Sequence, residues 1–284
     1  MRRLIAVQML LIGALPSEAH ARPYRVVNAH GPSSTGGGNL ELGLRYQGFF
    51  VGQGRDHPTL GHLEPGSFNQ LAGTVRWGII DPLELGLEAS AIFFHDLDSE
   101  DVEVAAGDLI VSLQGRVLKT RHHLLGLFAG LTVPTGPSDV DSLPPFWADG
   151  TLDVEALLLY ELALQPFRLI VDAGYVHAGT RDPTGGGLVF DVPDAFRWDL
   201  AGALHLGRRF LVCLELHGRH YFRADVTPFW VDNQHLLELI PGVRVELVPR
   251  LVLEAALGFA LTRAAREMFI LRAQAGFTYE FNLY

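Results

Sequence analysis

The stretch Leu83-Glu84-Leu85-Gly86-Leu87-Glu88-Ala89 alternates with a period of two. One parity carries Leu83, Leu85, Leu87 and Ala89, and the other Glu84, Gly86 and Glu88. Successive side chains of a strand point to opposite faces, so this segment has one apolar face and one charged face. Eleven of the chain's short apolar segments sort their charges in this way. On the charged parity stand fourteen acids: Glu41, Glu84, Glu88, Asp108, Asp153, Glu155, Glu161, Asp172, Asp199, Glu215, Glu238, Glu246, Glu254 and Glu280. Eight arginines join them: Arg45, Arg76, Arg116, Arg168, Arg197, Arg219, Arg244 and Arg272. The opposite parity holds no charge. An Arg or Lys facing lipid at mid-membrane costs roughly 2–4 kcal/mol, so a face cleared of charge is what a hydrocarbon boundary demands.

Period-two runs between turn residues predict twelve strands, near 40–50, 68–77, 83–94, 107–118, 123–133, 151–164, 168–177, 196–206, 210–222, 235–247, 251–262 and 268–281. The linkers alternate between long (51–67, 95–106, 134–150, 178–195, 223–234) and short (78–82, 119–122, 165–167, 207–209, 248–250). The last, 263–267, is short where a long one is due. Short periplasmic turns, longer outer loops and an even strand count define outer-membrane barrels. The expected fold is therefore all-β: a twelve-stranded antiparallel transmembrane β-barrel over residues 39–284. The fifth strand, Leu124 to Val133, is apolar on both faces, and its phase stays open. Aromatics of the apolar parity, such as Tyr46, Phe50, Trp77, Tyr175, Phe222 and Phe281, fall near strand ends, where barrels carry aromatic girdles.

Residues 1–21 read as a cleaved secretory signal peptide: Arg2 and Arg3, an apolar stretch from Leu4 to Leu15, then Ala19-His20-Ala21. Cleavage leaves 284 − 21 = 263 residues. Residues 22–38, with Gly36-Gly37-Gly38, read as a flexible periplasmic lead-in. No later apolar run is long enough for a spanning helix, yet 48% of residues are hydrophobic and mean hydropathy is +0.20. A barrel reconciles the two, because its membrane signal is spread over short alternating segments. The single Cys213 excludes an internal disulfide framework and Cys-based metal chemistry. A net charge of −10 argues against a nucleic-acid partner. The expected partners are the lipid bilayer of a Gram-negative outer membrane and a small-molecule solute, with the protein a monomer and no cofactor or metal.

All of the twenty-two sorted charges except Glu161, Arg168, Glu246 and Glu280 are candidate lumen-lining residues. Eight strands are filled by side chains and sixteen to eighteen leave an aqueous channel, so twelve lies between. Fourteen acids minus eight arginines gives six excess negative charges, which favour cations in any water path. The alternative is a closed structural or surface-interaction barrel filled by Arg–carboxylate pairs, Asp199 with Arg219 among them. Phe146 and Trp147, in the loop 134–150, are candidates for a gate. A lipid-acting enzyme is a further alternative: His205, His217, Asp199 and Glu215 share the charged parity, as do Ser90 and Ser112. No serine is placed beside either histidine, and the reading is of a non-enzyme. His122-His123 reads as an exposed turn, and Asp96, Asp98, Glu100, Asp101 and Glu103 as a solvated acidic loop rather than a Ca²⁺ site.

Three short motifs carry a family resemblance. Leu131-Thr132-Val133-Pro134-Thr135-Gly136, Trp77-Gly78-Ile79-Ile80-Asp81-Pro82-Leu83-Glu84-Leu85 and Gly107-Asp108-Leu109 resemble segments of the bacterial outer-membrane barrels assigned to the MetA pathway of phenol degradation, also called simply transporters. The resemblance implies an outer-membrane barrel with a transport role and supplies no catalytic residues.

Overall fold

The computed structural model describes residues 29–32, 35–50, 55–57, 61–63, 66–96, 102–136, 151–181, 190–191, 193–222 and 234–283. Twelve long strands run through them in chain order: β1 Asn39–Phe50, β2 Gly66–Ile80, β3 Leu83–Asp96, β4 Leu109–Lys119, β5 His123–Val133, β6 Asp153–Leu164, β7 Phe167–His177, β8 Ala195–Leu206, β9 Phe210–Tyr221, β10 His235–Val248, β11 Leu251–Ala260 and β12 Leu271–Asn282. Each pairs antiparallel with its neighbours in sequence, and β1 also pairs with β12, Leu40 opposite Phe281 and Phe50 opposite Leu271. The sheet is thus closed. Val102–Ala106 adds a short strand against the outer half of β3, from Ala91 to His95.

Burial is inverted relative to a water-soluble protein. Leu85 is 38% exposed and Leu214 52%, whereas their neighbours Glu84 and Glu215 are 2% and 0% exposed. The uncharged face of each strand points away from the barrel and the charged face into it. Backbone hydrogen bonds have no open edge, as a hydrocarbon surrounding requires.

The phase of β5 is fixed by its neighbours rather than by its own charges. Leu124, Gly126, Phe128 and Gly130 are buried, and Leu127 and Leu131 are exposed. The last connection also differs from expectation. β11 ends at Ala260 and β12 begins at Leu271, and a helix, α1 (Arg263–Met268), lies between them. Thr262 caps it by accepting the Ala265 N–H, and Ala264 and Ala265 are buried. Two adjacent alanines carry no parity, so alternation alone misses the helix.

The lead-in is not a free periplasmic segment over its described length. Ala29 and Pro32 are fully buried among side chains of the barrel interior, and the chain reverses at Gly36–Gly38 before entering β1. Gly36 and Gly38 have φ of 85° and 78°, a conformation that L side chains resist. Gly38 N–H donates to Gly78 O at 2.8 Å. A Cβ on Gly78 would lie 1.8 Å from Gly36 O. The glycines form a tight reversal, not a flexible linker. The signal peptide, the Phe146–Trp147 gate, and Asp98, Glu100 and Asp101 of the acidic loop lie outside the described residues.

Candidate functional site

Among the described residues, six arginines of the interior reach across strands to carboxylates. Arg45 meets Glu88 at 2.9 Å, Arg76 meets Glu41 at 2.5 Å and Arg168 meets Glu161 at 2.8 Å. Arg197 bridges Glu155 at 2.9 Å and Asp199 at 3.1 Å. Arg272 meets Glu238 at 2.8 Å, and Arg244 lies 3.8 Å from Glu254. Arg219 donates to the Tyr221 hydroxyl at 3.2 Å, with its guanidinium 5.7 Å from that ring. Arg116 is half-buried on β4.

The expected pairing of Asp199 with Arg219 does not form. The turn from β8 to β9 sets Leu206 opposite Phe210, which carries Asp199 opposite His217 and Arg197 opposite Arg219. His217 Nδ1 donates to Asp199 Oδ1 at 2.5 Å. Across the other edge of β8, Asp199 faces Asp172 of β7. Asp172, Asp199, His217 and Glu238 therefore stand at one level on four adjacent strands. Ligand atoms of Asp199, Glu215 and His217 lie within 4.8 Å of one another.

Other acids accept backbone N–H groups. At the end where the long connections are, Asp108 takes those of Thr135 (3.1 Å) and Gly136 (3.0 Å). Asp153 takes the Thr151 hydroxyl at 2.6 Å and the Gly179 N–H at 3.3 Å. At the end where the short turns are, Glu246 takes the Arg250 N–H at 3.3 Å. Three more hold the amino-terminal segment. Glu84 accepts the Thr35 N–H at 2.9 Å, Asp172 the His30 N–H at 2.7 Å and Glu215 the Ala29 N–H at 3.3 Å. Gln114 of β4 donates to Gly31 O at 2.8 Å. The His30 ring lies 4.6 Å from that of Phe128 on β5. Ala29 packs with Ile170, Ala201, Leu211 and Ile240. Residues 29–32 and Thr35 thus lie inside the barrel between its middle and the end where the short turns are, touching β3, β4, β5, β7 and β9.

Gln114, Phe128 and the segment itself escaped the reading of the sequence, which followed charge. Gln114 was the available clue: an uncharged polar residue on the interior parity of β4. Ser90 accepts from Gln70 at 3.1 Å on the β2–β3 side. Ser90 and Ser112, on β3 and β4, stand at least four strands from His205 and His217, on β8 and β9. His122 Nδ1 donates to Ala163 O at 3.1 Å, and His123 Nδ1 lies 2.8 Å from the Tyr160 hydroxyl, so each ring is tied to β6.

This geometry defines a transmembrane β-barrel with a charged, hydrogen-bonded interior and an apolar belt in contact with a lipid bilayer. No family model and no curated protein matches the chain. Among solved structures, an outer-membrane channel from Pseudomonas putida F1 is similar with TM-score 0.69 and 14% identity, over 91% of this chain and all of the other. The NanC porin follows at TM-score 0.57 and 9% identity, over 84% of this chain and 98% of its own. The KdgM porin has TM-score 0.52 and 9% identity, over 85% of this chain and 99% of its own. The shared feature is the fold of outer-membrane barrels.

Proposed function

We propose that the protein is a monomeric outer-membrane channel that passively admits small solutes, aromatic or apolar ones among them, and that residues 29–32 and 35 occupy its lumen at rest. The observation that carries the reading is the segment itself. Its backbone is held by Glu84, Asp172 and Glu215 through three N–H donors, and by Gln114 through one carbonyl. A barrel serving only as a scaffold has no need of a hydrophilic interior large enough to take a stretch of chain. Similarity of fold to channels and porins is in keeping with this, as is the resemblance to the MetA-pathway barrels. On this reading residues 1–21 are an export signal, and cleavage after Ala21 leaves the mature start on the periplasmic side of a Gram-negative outer membrane. The excess of interior acids favours cations.

Planar-bilayer recordings of the mature chain and of a form lacking residues 22–35 test it. The shortened form is expected to give steady, cation-selective conductance well above that of the intact chain. Equal silence from both forms, each folded, supports the closed scaffold instead.

A further inference from the structure

We propose that His220 and His235 form a binding site for a divalent transition-metal ion, Zn²⁺ or Cu²⁺, on the outward rim of the barrel at the end where the long connections are. The pair lies apart from the lumen, so the site stands or falls independently of the channel reading.

The two histidines are 15 residues apart in sequence, yet the antiparallel ladder sets them directly opposite each other on β9 and β10. Just beyond them the Tyr221 N–H donates to Gln234 O at 2.9 Å and holds the two backbones together. His220 and His235 thus fall between ladder hydrogen bonds, where opposite side chains of an antiparallel pair come closest. Both stand on the outward parity, since their neighbours Arg219 and Glu238 belong to the inward one. Hydrocarbon does not reach this level. Phe222 donates its N–H to Asp194 O at 2.8 Å, and the Asp194 carboxylate meets His177 at 2.8 Å in an exposed contact. Charge of that kind is kept out of the lipid belt. Water, and with it a dissolved ion, therefore has access to both rings: His235 is exposed and His220 half-buried.

The spacing of the rings carries the argument. Nδ1 of His235 lies 3.3 Å from Nδ1 of His220. That is long for a hydrogen bond, whose usual separation is about 2.9–3.0 Å. It is the span of two metal–imidazole bonds of roughly 2.0–2.1 Å that meet at one tetrahedral ion. A neutral imidazole carries a single N–H, so two facing nitrogens share at most one hydrogen bond, whereas a metal ion takes a lone pair from each. One ring is already placed for this. The Phe222 ring stands edge-on to His220 at 5.5 Å and 87°, and is itself backed by Tyr175 at 6.0 Å. Imidazole nitrogen suits zinc and copper, while calcium and magnesium call for oxygen ligands. Water completes the shell, and the bound ion clamps β9 to β10 where the connection between them begins.

Calorimetric titration of the untagged, mature full-length chain with Zn²⁺, and with Ca²⁺ for comparison, tests the site. One saturable Zn²⁺ site in the micromolar range is expected, with no Ca²⁺ binding there. His220→Gln and His235→Gln are each expected to weaken it by about tenfold or more. His123→Gln, whose ring is tied to Tyr160, and His217→Gln, from the interior group with Asp199 and Glu215, should leave it intact. An unchanged titration in both rim variants, or loss in His217→Gln alone, overturns the proposal. Should neither rim variant fold, electron paramagnetic resonance of Cu²⁺ bound to the native chain decides. Coupling to two imidazole nitrogens supports the pair, and coupling to fewer refutes it.

Discussion

The backbone N–H of His30 donates to Oδ2 of Asp172 at 2.7 Å, tying a residue upstream of the first strand to the middle of the seventh. Each partner needs the other. An amide turned into the barrel interior loses water, and so does a fully buried carboxylate. Asp172→Ala is expected to weaken the segment by ~1–3 kcal/mol. Hydrogen exchange at the His30 amide should accelerate on the order of tenfold to a hundredfold, with amides of β1 unchanged. Unaltered protection at His30 would show that the bond contributes nothing.

The reversal at Gly36–Gly38 depends on Gly78. A Cβ there meets Gly36 O at 1.8 Å and Gly36 C at 2.6 Å, both backbone atoms that have no side-chain freedom to yield. Gly78→Ala is therefore expected to dislodge the segment and raise bilayer conductance while the barrel stays folded. Gly202→Ala, whose Cβ meets nothing within 4 Å, is the control and should behave as the parent.

The two faces of β3 predict opposite tolerances. Leu87 is 44% exposed on the apolar parity, and an arginine there at mid-membrane costs roughly 2–4 kcal/mol. Glu88 faces inward and pairs with Arg45 at 2.9 Å, in a partly open interior where Arg45 keeps access to water. Leu87→Arg should thus lose far more of the heat-resistant folded band on a gel than Glu88→Leu. Equal losses would contradict the face assignment.

Asp194 anchors the connection leading into β8. Burial pushes its carboxyl upward, but the Tyr175 hydroxyl, the Ala178 N–H at 3.0 Å and His177 at 2.8 Å together hold it below the usual carboxylate range. A depressed carboxylate stabilises the folded form above its unfolded value, and that contribution fades as pH falls through the lowered one. The Ala178 amide shift should be flat near neutrality and titrate only in strong acid, and Asp194→Asn should remove the transition. A midpoint above the ordinary aspartate value would contradict the tie.

Charge made most of the barrel legible. Glu84 and Glu88 fix the phase of β3, and Asp172 with Arg168 that of β7, because a misplaced charge in lipid costs more than any propensity. β5 has no charge to read, and the reason lies in its partner: Gly126 and Phe128 face the amino-terminal segment, with a Cβ on Gly126 falling 2.9 Å from the Pro32 ring. The segment itself has neither alternation nor apolar density, so its place inside the barrel follows only from tertiary contacts. The partner of Asp199 was missed for a simpler reason. The expected turn 207–209 already sets Leu206 opposite Phe210, and counting back from it puts His217 opposite Asp199, two residues short of Arg219.

Leu200 and Ala201 offer the most direct test that hydrocarbon wraps the uncharged parity. They are adjacent on β8, one 42% exposed and the other fully buried. Nitroxide labels at Leu200→Cys and Ala201→Cys, each on a Cys213→Ser background in reconstituted bilayers, can be power-saturated with oxygen and with a nickel chelate. Strong oxygen and weak nickel relaxation are expected at position 200, with loss of that oxygen preference at position 201. Nickel-accessible label at 200 together with oxygen-rich label at 201 would contradict it.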